Sequence, residues 1–352
     1  MSNRNPLDYS INKPLSSGYN PIKYIFKDII LYVCLLSILI FGLAMLYSSS
    51  GQSISMVIRQ SVYIFSGLIL MTFISHQKPD SYKNLLMHSY WIGLFLLVYV
   101  LLFPASGYST SRWIDLGFFS FQPSEIIRLI LPLSLIAYLC RKESQIQLLD
   151  WFYTTLAAFI CSYLVFKQPD LGTSILIALS GLAVIWLSGV NIKYFIYSLL
   201  IFVVSAPFVI TFLEPYQKLR ILAFFNPERD PLGSGYQIIQ SKIAVGSGGL
   251  YGKGFLKGTQ SYLEFLPEKH TDFIFTLFSE EHGFIGSLGL LLIYVIMIYR
   301  IILIGSICRT FFSKLFCYGF GSAIFIYIVV NMSMVLGMVP IVGSPLPFMS
   351  YG

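Results

Sequence analysis

The chain has 352 residues, of which 56% are hydrophobic and only 11% are charged, and its net charge is +7. Soluble domains carry about 25% charged residues, so this chain has too little polar surface to face water. The composition therefore excludes a soluble enzyme, a disordered chain and a nucleic-acid-binding protein, and it favours a membrane protein.

Apolar runs long enough to cross a bilayer follow a polar N-terminal segment, residues 1–28. A spanning helix needs about 20 residues. The runs fall at 29–48, 56–75, 85–104, 124–140, 151–166, 173–189, 194–213, 273–299 and 315–338. They predict an all-α polytopic membrane protein with nine spans. The fifth and sixth runs are short, and we expect them to meet in a tight turn at 167–172.

The placement of basic residues predicts the orientation, because short cytoplasmic loops carry the excess of Lys and Arg. If the N-terminus is cytoplasmic, the cytoplasmic segments hold twelve: Arg4, Lys13, Lys23, Lys27, Lys78, Lys83, Arg141, Lys142, Lys193, Arg300, Arg309 and Lys314. The short outer loops and nearby helix ends hold three: Arg59, Arg112 and Lys167. We therefore expect residues 1–28 inside the cell.

One large outer loop, residues 214–272, is predicted between the seventh and eighth spans. Within it, residues 235–245 have the apolar spacing of a short amphipathic helix on the membrane face. The glycine cluster that follows, 245–254, lacks the spacing of a phosphate-binding loop, and no strand precedes it. We expect a turn with close backbone packing there.

Acidic residues at the predicted outer ends of spans are candidate functional groups, because acids at membrane depth are costly. Glu125 opens the fourth span, Asp170 the sixth and Asp272 the eighth. Each has an architectural alternative. The aspartates stand where N-caps stand, and Glu125 can pair with Arg128 three residues later. For each acid taken alone, this architectural role is favoured over catalysis.

Further charged residues at the same level shift the balance towards an outward polar cavity that holds an anionic headgroup. The basic ones are Arg59, Arg112, Lys167 and Lys269. About two helical turns below Asp272, helical geometry would aim Glu280 towards the cavity of Asp272 and Glu281 to the opposite side. Trp113 is first expected to be an aromatic anchor at the membrane interface.

Seven motifs in chain order resemble those of the SEDS family, the shape, elongation, division and sporulation proteins, and most closely its rod-shape branch. The motifs are RWIDLG (112–117), FQPSE (121–125), KQPDLGT (167–173), NPERDP (226–231), GYQ (235–237), LPEKHTDF (266–273) and GSPLPFMSYG (343–352). The resemblance covers the whole chain. It implies a bundle of about ten transmembrane helices, nine of them complete here, with the tenth expected to continue beyond Gly352.

The resemblance also implies a peptidoglycan glycosyltransferase that polymerises lipid II at the outer face of the cytoplasmic membrane. Implied partners are a class B penicillin-binding protein, which is a transpeptidase, and other elongation-complex proteins. The family's essential outer-loop aspartate falls on Asp272, and sensitive family positions fall on Trp113 and Asp170. Glu125 matches a family motif, and we assign it an architectural or cavity role.

The implied chemistry needs one base and a cationic site. The acceptor hydroxyl attacks a donor whose lipid pyrophosphate is already a good leaving group, so cations matter more than a strong acid, and one carboxylate suffices as general base. We expect Asp272 to be that base. Arg59, Arg112 and Lys269 are candidate pyrophosphate contacts. The other candidate cavity residues are Trp113, Glu125, Asp170, His270 and Glu280.

No cofactor is certain, and a divalent cation, Mg²⁺ or Mn²⁺, is a candidate for sharing the pyrophosphate. Three other interpretations stay open. A lipid II flippase would also need intramembrane charge and a cavity. A scaffold that recruits the transpeptidase would need only the outer loop and apolar helices. A division or sporulation member of the same family would share all the motifs.

Overall fold

The computed structural model describes residues 28–77, 81–103, 112–115, 120–141, 148–189, 192–197, 213–229, 233–258 and 270–351, with a few single residues between 200 and 211. The expected cytoplasmic segment 1–28, except Asp28, therefore lies outside the described residues. So do most of the seventh predicted span, 194–213, and part of the outer loop, 259–269.

The described residues form a helical bundle. Its helices are α1 (Ile29–Ser49), α2 (Ile54–Ser75), α3 (Ser81–Leu102), α4 (Pro123–Leu139), α5 (Leu148–Lys167), α6 (Leu171–Leu187), α7 (Pro215–Phe225), α8 (Ser234–Ser247), α9 (Ile274–Ile307) and α10 (Phe311–Val335). A two-residue hairpin pairs β1 (Ile114–Asp115) with β2 (Ser120–Phe121) in antiparallel register. A 3₁₀ turn covers Pro227–Arg229.

The predicted spans agree with these helices. Eight of the nine runs coincide with α1 to α6, α9 and α10 to within a few residues, except that α9 continues to Ile307. Six described helices are long and apolar enough to cross a membrane, whereas α4 and α6 have 17 residues each. The tight turn at 167–172 is confirmed, because α5 ends at Lys167 and α6 begins at Leu171.

Short polar side chains begin three of the helices. Asp28 caps α1 by accepting a hydrogen bond from Leu31 N at 3.1 Å. Asp170 caps α6, and Thr310 caps α10. An N-cap oxygen satisfies a backbone N–H that has no partner within the helix, so these starts are set locally by the sequence.

Two large apolar cores hold the bundle together, and a small third cluster joins α6 to α10. One is formed by α1, α9 and α10, and Tyr294, Ile38 and Met45 are among its fully buried side chains. The other is formed by α3 to α6 with the start of α10, where Leu97 and Ile127 are buried. By contrast, α2 has no buried residue. Such a helix is expected to face lipid along most of its surface.

The helix predicted at 235–245 is confirmed as α8. Ile238, Ser241 and Ala244 are buried, whereas Ile243 is half exposed. The hydroxyl of Ser241 donates to Val335 O at 2.7 Å. The helix therefore packs on the bundle through a face that includes a polar residue.

The long helix α9 is broken at Gly283, whose backbone angles are φ 67° and ψ −164°. The glycine-rich loop after α8, residues 248–258, enters this break and supplies hydrogen-bond partners for backbone groups on both sides of it. The hydrogen bonds run from Lys253 N to Glu280 O (3.0 Å), Gly254 N to Glu281 O (3.0 Å), Phe284 N to Gly249 O (2.9 Å) and Ile285 N to Leu250 O (3.1 Å). Buried backbone groups need such partners, so the loop completes the helix.

Glycine is required in this loop by close approach. A Cβ atom on Gly248 would overlap the carbonyl of Ser279, and one on Gly252 would overlap the carbonyl of Glu281. Gly252 also has a φ of 79°, a conformation that side chains disfavour. The predicted turn with close backbone packing is thereby confirmed.

The residues after α10, 339–351, form an irregular segment with a turn at 347–349, which we call the C-terminal strap. Leu346 and Met349 of the strap are buried in the core of α1, α9 and α10. The Tyr294 hydroxyl donates to Pro347 O at 2.7 Å. The strap is thus anchored to α9 by both apolar and polar contacts.

Candidate active site

Asp170 is held at the start of α6 by several groups. Its carboxylate accepts from Thr173 N at 3.2 Å, which confirms the N-cap, and it lies 3.3 Å from the side-chain nitrogen of Gln122. Only 7% of Asp170 is exposed. Its carboxylate therefore has an architectural role in the folded chain.

Arg112 clamps the turn between α5 and α6. Its Nε donates to Gln168 O at 2.9 Å, and its Nη2 donates to Pro169 O. Its Nη1 lies 3.9 Å from Asp170 Oδ2. Sequence analysis placed Arg112 at the pyrophosphate, but the structure shows these donors directed at the turn.

Glu125 lies in the first turn of α4, after Pro123, and its predicted pairing is confirmed. Arg128 Nη2 is 2.6 Å from Glu125 Oε2. The Arg128 guanidinium also lies over the Tyr327 ring, 5.0 Å from its centroid, and the Tyr327 hydroxyl donates to Arg128 O at 3.3 Å. The pair is partly exposed, since 33% of the Glu125 side chain is accessible.

Asp272 differs from both of these acids. The N-cap residue of α9 is Phe273, whose side chain makes no capping hydrogen bond. Asp272 therefore does not occupy the N-cap position that the architectural alternative assigned to it, because the helix begins one residue later. Asn331 Nδ2 holds the main chain here by donating to Asp272 O at 2.9 Å.

The strap lies between the Asp170 and Asp272 regions. A Cβ atom on Gly172, two residues after Asp170, would overlap the Val342 carbonyl. A Cβ atom on the next strap residue, Gly343, would lie 3.5 Å from Asp272 Oδ2. Residues 342 and 343 therefore bring the two acids to the same end of the bundle, as a shared cavity requires.

His270 and Arg59 meet the end of the strap. His270 Nδ1 is 2.8 Å from Ser49 Oγ, and Tyr351 N donates to His270 O at 3.0 Å. The Arg59 side chain lies near the Tyr351 side chain. The sequence predicted both Arg59 and His270 near Asp272. In the structure His270 lies two residues before Asp272, and Arg59 lies near Tyr351, whose N donates to the His270 carbonyl.

Glu280 lies in a buried ion pair. It has no exposed surface, and its Oε1 is 2.6 Å from Lys253 Nζ in the glycine-rich loop. The sequence analysis missed Lys253. Its position within the glycine cluster was a signal, but the sequence could not show that this loop enters a broken helix.

Glu281 does not point away from Glu280, so that expectation was wrong. Its carboxylate accepts a hydrogen bond from the Ser48 hydroxyl. A Cβ atom on Gly258 would lie 3.2 Å from both Glu280 Oε2 and Glu281 Oε1. The two long side chains bend towards the same loop, because that loop crosses the break immediately after them.

The remaining predicted site residues are less informative. Trp113 is half-buried and directly precedes β1. Lys269 lies outside the described residues. Within the described part of the chain, no group of three His, Cys, Asp or Glu side chains is arranged to hold a metal ion.

Comparison with known proteins identifies the family of this bundle. The sequence profile of the cell cycle proteins named for FtsW, RodA and SpoVE matches residues 28–352. The peptidoglycan glycosyltransferase MrdB of Escherichia coli strain K12 is 42% identical over 339 residues, covering 95% of this chain and 92% of MrdB. A probable peptidoglycan glycosyltransferase FtsW of Coxiella burnetii is 35% identical over 341 residues, covering 92% and 91%.

A solved structure shares the fold. It comes from work on the structural coordination of polymerization and crosslinking by a peptidoglycan synthase complex. The matched chain is 30% identical with a TM-score of 0.75, and the match covers 92% of this chain and 91% of that one.

Proposed function

We propose, since this chain belongs to the FtsW, RodA and SpoVE family of cell cycle proteins, that it is a peptidoglycan glycosyltransferase that polymerises lipid II into glycan strands. Its relatives carry that enzyme name, and the matches cover almost their full length. The chain is a multi-pass protein of the cytoplasmic membrane, which fits its apolar helices.

The observation that carries the proposal is the position of Asp272. Of the two aspartates that precede helices at this end of the bundle, Asp170 is the N-cap of its helix, whereas the N-cap of α9 is Phe273. Asp272 lies beside the strap, near Gly343. Its main chain is held by Asn331, so its carboxylate has a fixed place from which to accept a proton from substrate.

Asp272 is the general base in this reaction. It takes the proton of the acceptor sugar hydroxyl as that oxygen attacks the anomeric carbon of the donor. The lipid pyrophosphate leaves from the opposite side, so the anomeric configuration inverts. A positioned base contributes about 10²–10⁴-fold to rate, and no second carboxylate is needed because the leaving group does not need to be protonated.

Cationic side chains stabilise the charge that develops on the pyrophosphate. Arg59 is the described candidate, because it reaches Tyr351 at the strap end beside His270. Lys269, two residues before Thr271, is the second candidate. Arg112 is better explained as a clamp on the turn, since three of its contacts are to residues 168–170. Mg²⁺ or Mn²⁺, when bound with the donor, would supply further positive charge.

The partner is a class B penicillin-binding protein, and the role is cell elongation and rod shape. Support for a crosslinking partner comes from the synthase complex that shares this fold. Support for elongation rather than division comes from the higher identity to MrdB, 42%, than to FtsW, 35%. Restoration of rod shape in cells depleted of their elongation polymerase, without restoration of division in FtsW-depleted cells, is the expected result.

The N-terminus lies in the cytoplasm and the active site faces outward. The excess of Lys and Arg in the short loops of one side supports this orientation. Cysteine in place of the exposed Lys257 should react with an impermeant thiol reagent applied to intact cells, above the background of the five native cysteines. Cysteine in place of Gln77 should not, and labelling with the opposite sidedness would overturn the orientation.

Polymerisation by solubilised protein tests the proposed function. The protein, purified in detergent with its penicillin-binding partner, Mg²⁺ or Mn²⁺ and lipid II, should form glycan strands visible on gels. A reaction at one membrane face needs no sealed compartment. Arg59→Ala should lower kcat/KM for the donor, because a charged hydrogen bond to the pyrophosphate is lost.

The rival function is a lipid II flippase, which transports between two compartments and forms no product in detergent. Transporters of that kind pair broken helices in two repeats. The break in α9 is closed by the glycine-rich loop, which does not favour transport. Absence of glycan strands in detergent, together with lipid II translocation by the same preparation in liposomes, would replace the polymerase proposal with transport.

A further inference from the structure

Asn331 of α10 links the segment around Asp272 to the C-terminal strap. It has no exposed surface, and its Nδ2 donates to two carbonyls, Asp272 O at 2.9 Å and Ser344 O at 2.6 Å. A carboxamide nitrogen has two N–H groups, so both are used. One buried side chain thus fixes the main chain at Asp272 relative to the strap.

Ser350 makes a second link, one residue earlier. Its hydroxyl donates to Thr271 O at 2.7 Å and accepts from Leu346 N at 2.8 Å. The next strap residue extends the series, because Tyr351 N donates to His270 O at 3.0 Å. The carbonyls of three consecutive residues, 270 to 272, therefore all accept hydrogen bonds from α10 or the strap.

The strap that makes these links is itself fixed. Leu346 is 1% exposed and Met349 is 2% exposed. A Cβ atom on Gly42 of α1 would lie 2.6 Å from Met349 O, so α1 packs closely on the strap. Gly343 has a φ of 70°, which lets the strap turn beside the Asp272 carboxylate. The strap and residues 270–272 are therefore fixed relative to each other.

We propose that Asn331 and Ser350 are positioning residues for polymerisation, which hold Asp272 against the acceptor hydroxyl by fixing the carbonyls of residues 272 and 271. The inference rests on the proposed function, because it takes Asp272 as the base. Misplacement of a reacting group by about 1 Å can cost 10²-fold in rate. A fixed main chain at Asp272 limits such displacement, since only the side-chain torsions of the aspartate remain.

Steady-state polymerisation by the complex of this chain with its penicillin-binding partner tests the proposal. Asn331→Leu removes both donors without adding charge, and kcat should fall about 10–100-fold while KM for lipid II changes less than about twofold. Ser350→Val should lower kcat about 10-fold. Threonine has the same branched shape as valine but keeps the hydroxyl, so Ser350→Thr should keep kcat within about threefold of wild type.

Ser241→Ala is the matched control for lost hydrogen bonds. Ser241 is fully buried and links the same two helices, to Thr276 Oγ1 at 3.1 Å and Val335 O at 2.7 Å, without contacting residues 270–272. It should lower the unfolding temperature as Asn331→Leu does, but leave kcat near the wild-type value. A fall in kcat only in the Asn331 and Ser350 variants therefore separates positioning from stability.

Two results would overturn the inference in different ways. If Asp272→Asn is inactive but Asn331→Leu and Ser350→Val keep wild-type kcat, the polymerase function stands and the positioning role is rejected. The same conclusion follows if Ser241→Ala loses as much kcat as they do for the same fall in unfolding temperature. If the wild-type complex forms no glycan, both the proposed function and this inference fail.

Discussion

Asp170 precedes α6 and Asp272 precedes α9, and in the sequence the two positions look equivalent. In the folded chain the Asp170 carboxylate caps its own helix, and Thr173 N, Gln122 and Arg112 surround it. At Asp272 the main chain is held instead, through Asn331. At Asp170 the contacts hold the carboxylate itself, which stabilises the helix start. At Asp272 the Asn331 contact holds the main chain, which fixes the position of the residue.

Both helix starts are supported from distant parts of the chain, and Asp170 has a local partner as well. The Asp170 carboxylate accepts from Thr173 N in its own first turn, and it also lies near Gln122, 48 positions away, and near Arg112. The residues around Asp272 depend on Asn331, 59 positions away, and Ser350, 79 positions from Thr271. The Asp170 cap is therefore a local contact that a motif predicts, whereas the contacts of Asn331 and Ser350 with residues 271 and 272 join separate segments.

The largest expected effect comes from the same substitution at both positions. Asp272→Asn should lower the polymerisation rate by about 10²–10⁴-fold, because an amide cannot accept the acceptor proton. Asp170→Asn should lower it less than about tenfold, because Asn caps a helix about as well as Asp. Polymerisation of lipid II in detergent by both variants measures the contrast.

The control for this comparison is Asp170→Ala, which removes the cap itself. It should cost about 1 kcal/mol of stability, a cost that Asp170→Asn avoids, and thermal unfolding of the detergent-solubilised protein would report it. Equal rate losses for Asp170→Asn and Asp272→Asn, at unchanged unfolding temperatures, would contradict the assignment of a capping role to Asp170 and a catalytic role to Asp272.

The glycine-rich loop offers a second way to sharpen the comparison, because it supports α9 and has no counterpart described at α6. Lys253→Met should destabilise the fold by about 3 kcal/mol, since it leaves the fully buried Glu280 carboxylate without its partner. We take the low end of the usual range because 29% of the Lys253 side chain is exposed. Thermal unfolding measures the loss.

Lys257→Met on the same loop is the matched control, because Lys257 is exposed and should cost little. Similar unfolding temperatures for the two variants would mean that the Lys253–Glu280 pair adds nothing to the support of α9. The start of α9 would then depend on backbone hydrogen bonds and the strap alone.

The sequence by itself determined the parts of this protein that depend on neighbouring residues. Helices at eight of the predicted runs, the turn at 167–172, the Asp170 cap and the Glu125–Arg128 pair were all predicted correctly. Hydropathy, capping and pairing three residues apart are properties of short windows, so a single sequence is enough to read them.

Hydropathy did not separate the helices that face lipid from those that face protein. Both α2 and α9 were predicted as spans, yet α2 has no buried residue, whereas residues 274–281 of α9 are all buried. Lipid tails are as apolar as leucine, so apolar composition carries no information about which solvent a helix meets.

Only the tertiary structure decided the surroundings of Asp272. The break at Gly283, the loop that fills it, the direction of Glu281 and the strap that holds residues 270–272 all depend on contacts between distant segments. Ser48 and Glu281, for example, meet across 233 positions. No local pattern encodes such contacts, because they follow from how the packed helices satisfy one another's buried polar groups.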